Sequence, residues 1–235
     1  MLVHGGGHDS RCWAPLLPHL NGPTLAVDLP GRGAKPGDLA TLRMHDLVNS
    51  AVADLDAFDQ AERVVLIGHS LAGILIPEIA ARRPDRVAHL VFLSCFVPAE
   101  GQTVADEMTP LLRVVSRGMT LFHARPVPKA IAKRMFCNDM TPEQTALTLS
   151  GLVPEAPGLL HDPVTRLGLP PATVIPRTFI KTLRDRVISP ETQDRFISNV
   201  GNCEVRSLNA GHDAMISSSL LLAKCIEESV GRRRD

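Results

Sequence analysis

The chain has 235 residues, 44% of them hydrophobic, enough to bury one large core in a single domain. Its 25 basic and 25 acidic residues cancel, so composition carries no electrostatic footprint for nucleic acid, and the Arg232-Arg233-Arg234 end reads as a solvated tail. No apolar run reaches membrane-spanning length, no signal peptide is read ahead of Met1, and five cysteines without metal-ligand spacing fit a reducing compartment; a cytoplasmic protein with no membrane partner is expected.

Strand-like runs at residues 1–3, 24–27, 64–67, 90–93, 178–183 and 204–208 alternate with helical patterns at 44–58, 74–82 and 217–230. This is the rhythm of an α/β fold, a mostly parallel sheet with helices on both faces. It breaks at residues 98–175, where helical patches at 106–117, 128–136 and 142–152 lie among many prolines without a convincing strand. That segment reads as a helical cap inserted into a core made of 1–97 and 176–235. Its apolar residues, among them Leu111, Met119, Phe122 and Phe136, are candidates to line a substrate pocket.

The apolar run Val64-Val65-Leu66-Ile67 leads directly into Gly68-His69-Ser70-Leu71-Ala72-Gly73 and then into a helical pattern. Strand, sharp turn and helix with a serine at the apex is the form of a nucleophile elbow, with Ala72 where a second glycine usually stands. A serine hydroxyl is a weak nucleophile and needs a base, an acid to orient that base, and donors for an oxyanion. In hydrolases built on such an elbow the order is serine, acid, histidine, so both partners are sought downstream of Ser70.

His212 follows the strand at 204–208 in the loop Asn209-Ala210-Gly211-His212-Asp213, at a strand end where catalytic side chains collect. His89 reads instead as a surface residue or the start of a strand, and His123 and His161 fall in the irregular middle of the chain. The acid should leave the strand before the histidine's, and the apolar run through Phe179 and Ile180 delivers Asp185. The alternative position, after the strand at 90–93, offers only Ser94 and Cys95. One oxyanion donor is the N–H after the nucleophile, at Leu71; the other belongs to a loop after an earlier strand, and Gly5-Gly6-Gly7 follows the first one. No Gly-Lys-Ser/Thr follows these glycines, which argues against a phosphate loop. His4 and His8 are spaced for chelation only on a helix, which three intervening glycines disfavour, so no metal and no organic cofactor are expected.

Leu2-Val3-His4-Gly5-Gly6-Gly7-His8, Cys12-Trp13, Asp28-Leu29-Pro30-Gly31, the Ser70 elbow, Asp185 and Gly211-His212 together resemble the α/β-hydrolase superfamily. The closer resemblance is to the branch of plant methylesterases, hydroxynitrile lyases and bacterial esterase relatives. It implies Ser70 as nucleophile, His212 as base, Asp185 as orienting acid, and Gly6 and Leu71 as oxyanion donors. His8 matches a second histidine of the loop motif and is placed at the pocket, a structural hydrogen bond being its plainer role. The resemblance also implies two strands ahead of the first one here, which either a late start or a minimal six-strand version accounts for. Lyases of the branch carry a threonine and a lysine where this chain has Gly5 and Asp213, so hydrolysis of a small, largely apolar carboxylic ester is the expected reaction. Lactone hydrolysis, tailoring of a secondary metabolite, and a ligand receptor or non-hydrolytic cyclase on the same scaffold are the alternatives.

Overall fold

A computed structural model describes residues 1–58, 63–108 and 127–231. The six strands are β1 (Leu2–Val3), β2 (Ala26–Val27), β3 (Val64–His69), β4 (Val87–Leu93), β5 (Arg177–Thr182) and β6 (Glu204–Leu208). All pairs are parallel, in the order β2-β1-β3-β4-β5-β6. The helices are α1 (Met44–Ala57), α2 (Ile76–Arg82), α3 (Lys129–Phe136), α4 (Pro142–Gly151), α5 (Pro190–Val200), α6 (Ala214–Ser217) and α7 (Ser219–Gly231).

Period-two alternation sends neighbouring strand residues to opposite faces. Val3, Leu66, Leu90, Phe92 and Phe179 join a core under α1, α2 and α5, whereas Leu2, Ile67, Val91, Leu93 and Ile180 join a second core with Trp13, Leu16 and α7. Burial on both faces is why these strands read as continuous apolar runs. Phe92 and Phe179 lie stacked across β4 and β5, centroids 6.3 Å apart.

The strand order reverses between β1 and β3, and at such a switch point an open parallel sheet leaves a crevice at the carboxyl ends of its strands. The glycine run leaves β1 and Ser70 leaves β3 on the two sides of that crevice. Among the described residues, the connection from β4 to β5 contains α3, α4 and short 3-10 turns but no strand.

Several boundaries differ from the sequence reading. The expected final helix is split at Ser218, whose φ of −142° interrupts α6 and α7. His89 lies inside β4, buried, with Nε2 2.9 Å from Thr178 Oγ1; a polar residue facing a cross-strand threonine needs no surface. The 106–117 patch begins as a 3-10 turn, Val104–Glu107, and its remainder from 109 lies outside the described residues.

Gly73 shows how tightly the turn after β3 is packed: a Cβ there would lie 2.3 Å from Phe96 O and 2.6 Å from Cys95 Cβ. Backbone on that side cannot swing away. Gly73→Ala is expected to destabilise by about 1–3 kcal/mol through overpacking, measured by urea unfolding.

Candidate active site

Ser70 has φ of +53°, a region L-residues other than Asn and Asp seldom enter. Parallel β3 ends at His69 and a 3-10 turn, Ser70–Ile74, begins at once, so the chain must reverse within one residue. Close packing holds it there: a Cβ on Gly5 would stand 2.8 Å from Ser70 Cβ and 3.0 Å from His69 O. Strain of this kind persists only where surroundings over-determine it.

Three side chains from three strand ends meet in one line. Ser70 Oγ lies 2.8 Å from His212 Nε2, and His212 Nδ1 lies 2.8 Å from Asp185 Oδ2. All three are buried, at 6%, 1% and 6% exposure. Asp185 also accepts from Thr182 Oγ1 at 2.9 Å and from the N–H groups of Val187 and Ile188 at 2.7 and 2.9 Å. Burial alone would raise its pKa, but His212 and these N–H groups outweigh it and hold the carboxyl below the usual range. An ionised Asp185 can only accept, so His212 carries its proton on Nδ1 and offers a bare Nε2 to the serine hydroxyl. Such a serine is primed to attack an electrophilic carbonyl carbon.

Further hydrogen bonds hold these parts in place. Thr182 Oγ1, committed as a donor to Asp185, accepts from Ser94 Oγ at 2.7 Å, and Ser94 is, among the described residues, the other non-glycine residue at positive φ, +47°. Gln193 Nε2 donates to the carbonyls of Thr182 and Ile188, closing the acid's loop. From the β4–β5 connection, Asp139 Oδ2 accepts the Gly211 N–H at 2.6 Å and Asn138 Nδ2 donates to Arg184 O at 2.9 Å, pinning the histidine and acid loops together. His69, pushed down to about 3 by burial and by His212, is neutral; its Nε2–H donates to the His212 carbonyl at 3.1 Å.

Gly6 and Leu71 lie on the wall of the cavity that Ser70 opens into, of about 270 Å³. Leu71 is the first residue after the serine in a helical turn, where N–H groups have no intrahelical acceptor. Phe136 also lines this cavity, with Phe96, Met108, Val127 and Leu160. Leu111, Met119 and Phe122 lie outside the described residues. His8, expected at the pocket, does not line this cavity: Nδ1 donates to Gly6 O at 2.8 Å and Nε2 to Asp213 Oδ2 at 3.1 Å. A ring nitrogen that must satisfy a fully buried carboxylate is held against Asp213 and away from this cavity.

Atoms of His69, His212 and Asp213 come within 4.8 Å of one another, as metal ligands would. Both ring nitrogens of His212 are already engaged with Ser70 and Asp185, so a metal would displace the serine or the acid.

Glu155 and Arg32 are cavity residues that the sequence reading passed over. Glu155 lines the cavity with Ser70 and forms an ion pair with buried Arg32. The only sequence signal was a cation wedged between glycines in Pro30-Gly31-Arg32-Gly33.

A parallel sheet with a left-handed serine at one strand end and a histidine and an aspartate at two others is the architecture of α/β hydrolases. The alpha/beta hydrolase family model matches residues 1–224, and the chain belongs to this family. Methylesterase 17 of Arabidopsis thaliana is 28% identical over 243 residues, covering 94% of this chain and 87% of that protein. Probable esterase PIR7A of Oryza sativa subsp. indica is 27% identical, covering 92% and 90%. A solved extracellular alpha/beta-hydrolase from a Paenibacillus species, described as sharing structural and functional homology with tobacco salicylic acid binding protein 2, superposes with a TM-score of 0.85 over 97% of each chain at 19% identity.

The His8–Asp213 pair makes stability depend on pH in two directions. For His8, burial lowers the pKa but Asp213 outweighs it and the net shift is upward from 6.5; Asp213, opposed by burial but favoured by His8, is shifted down from 3.8. The raised base stabilises fully below 6.5 and less as pH climbs through its folded value; the depressed acid stabilises above 3.8 and less as pH falls through its own. The Tm advantage of the wild type over His8→Gln/Asp213→Asn is therefore expected to peak between those two values and to shrink on either side in thermal melts across pH.

Proposed function

We propose that this carboxylic ester hydrolase cleaves a small, largely apolar carboxylic ester through an acyl-enzyme on Ser70. The observation that carries the reading is the unbroken line Ser70 Oγ, His212 Nε2, His212 Nδ1, Asp185 Oδ2 at 2.8 Å per contact, opening into a cavity walled mainly by apolar side chains.

In this reading His212 takes the proton from Ser70 as Oγ bonds to the ester carbonyl carbon, and the carbonyl oxygen becomes an oxyanion received by the Gly6 and Leu71 N–H groups. The imidazolium is stabilised by Asp185 and returns its proton to the departing alcohol. Water then attacks the acyl-serine with His212 again as base, releasing the carboxylic acid. The relatives named methylesterase and esterase support a small alcohol as leaving group.

Gly5 and Asp213 support hydrolysis over lyase chemistry. A threonine side chain at residue 5 has no room, because its first carbon already meets Ser70. Asp213, at the position where lyases of the branch carry a lysine, is a carboxylate locked to His8 in the protein interior and offers nothing to receive a cyanide.

Ser70→Ala is expected to lower p-nitrophenyl butyrate turnover on the order of a million-fold while the circular dichroism spectrum is unchanged. A fluorophosphonate should add to Ser70 alone, located by peptide mass spectrometry; labelling elsewhere, or retained turnover in Ser70→Ala, would defeat the assignment.

Asp185→Asn is expected to reduce kcat on the order of ten thousand-fold by removing the charge that sets the His212 tautomer. Asp213→Asn, also buried beside the histidine, should lower Tm with a far smaller loss of kcat, since its hydrogen bond goes to His8 and not to the base. Equal kcat losses in the two variants would mean that the acid had been misassigned.

A further inference from the structure

We propose that Arg32 and Glu155 form an electrostatic clamp on the oxyanion loop: Glu155 fixes the Gly6–Gly7 peptide, and Arg32 neutralises the carboxylate so that it does not oppose the transition-state oxyanion. The proposal rests on the esterase reading above and assigns both as positioning residues.

The Gly6–Gly7 peptide is held at both polar ends. His8 Nδ1 donates to the Gly6 carbonyl at 2.8 Å, and the Gly7 N–H donates to Glu155 Oε2 at 3.2 Å. The Gly7 carbonyl in turn accepts the Val153 N–H at 2.9 Å, so the segment carrying Glu155 grips the loop through main chain and side chain alike. Fixing this peptide fixes the Gly6 backbone that presents its N–H to substrate. The same carboxylate brings a difficulty. Oε2 would lie 3.1 Å from a Cβ built on Gly6, and among the described residues Glu155 is the one carboxylate on the wall of the catalytic cavity. A bare negative charge in a partly dry cavity raises the energy of any anion formed beside it.

Arg32 answers that charge. Its side chain is 1% exposed, it pairs with Glu155 Oε1, and it lines a small second cavity that shares Gly6, Leu71 and Glu155 with the first. Burial lowers its pKa to about 10, so it remains a cation at neutral pH. Burying a guanidinium is costly, and this one is placed where it cancels a specific carboxylate.

The two partners should then be equivalent for stability and unequal for catalysis. The test is a double-mutant cycle on p-nitrophenyl butyrate with Ser70→Ala as the blank, read as kcat and KM separately, with Tm alongside. Arg32→Gln and Glu155→Gln are both expected to lower Tm. Arg32→Gln should lower kcat roughly 10–100-fold with little change in KM, because the naked carboxylate acts only on charge formed in the transition state. Glu155→Gln keeps an acceptor for the Gly7 N–H and should lose at least tenfold less in kcat. Arg32→Gln/Glu155→Gln should recover most of what Arg32→Gln loses. Equal kcat losses in the single variants, additive losses in the double, or a loss confined to KM would overturn the proposal. Should Arg32→Gln not fold, Glu155→Gln carries the test: a trifluoromethyl ketone, which adds to Ser70 as an anion, should bind it more tightly than the wild type, and weaker binding refutes the clamp. Wild type indistinguishable from Ser70→Ala would instead defeat the esterase reading, and the clamp with it; an active wild type with the wrong pattern defeats the clamp alone.

Discussion

A serine forced into the left-handed region at the carboxyl end of β3 is the constraint around which this molecule is built. At φ of +53° an L-residue is costly and unstable as a local choice, on the order of 1–2 kcal/mol before any compensation. It is retained because β1 and β4 clamp β3 on both sides and because Gly5 and Gly73 remove the side chains that would collide with the turn. In return Oγ is held 2.8 Å from a histidine 142 residues later in the chain. Any relaxation of the turn would move the hydroxyl, and a misplacement near 1 Å at a reacting centre costs roughly a hundredfold.

The rest of the site is a set of answers to burial. Asp185 is kept charged by four donors at 2.9 Å or closer, His212 is kept in one tautomer by Asp185, and His69 is kept neutral and spent on a carbonyl. Each of these three side chains is tied to a partner, since leaving a buried polar group unpaired costs more than the bond gains. Ser94 extends this pattern. Its positive φ at the end of β4 echoes that of Ser70 at the end of β3, and its hydroxyl supports Thr182 and through it the acid. The end of β4, which offered no carboxylate in the sequence, thus serves the acid of β5 at one remove.

Much of this could be read without coordinates, and the physical reasons differ by feature. Core strands were legible because both faces of a parallel sheet are buried, so Val64 to Ile67 and Leu90 to Leu93 stand out as apolar runs. Ser70 was legible because the glycines around it report a backbone geometry, and His212 and Asp185 because each follows a strand directly. Contacts between segments distant in the chain were not legible. Asp139 is 72 residues from Gly211, and Glu155 is 148 residues from Gly7, in a stretch without periodicity. For His8 the sequence offered a pocket position and a plainer structural hydrogen bond; the structure shows the hydrogen bond, but its partner was not legible, because the buried carboxylate that claims the ring lies 205 residues away.

These long-range contacts also explain why the connection between β4 and β5 does more than cover the serine. Asn138 and Asp139 bind the Asp185 and His212 loops, Val153 and Glu155 bind the glycine loop after β1, and Phe136 packs edge-on against His8 with centroids 5.2 Å apart. Cavity shape and the alignment of Ser70, His212 and Asp185 are therefore coupled: residues that shape the cavity sit one or two positions from residues that hold those loops. Val153 and Glu155 both line the cavity while gripping Gly7. A change in this connection that enlarges the cavity will disturb the Gly7 and Gly211 backbone unless those four anchors are kept, so the apolar wall can vary while Asn138, Asp139, Val153 and Glu155 are held by the bonds they make.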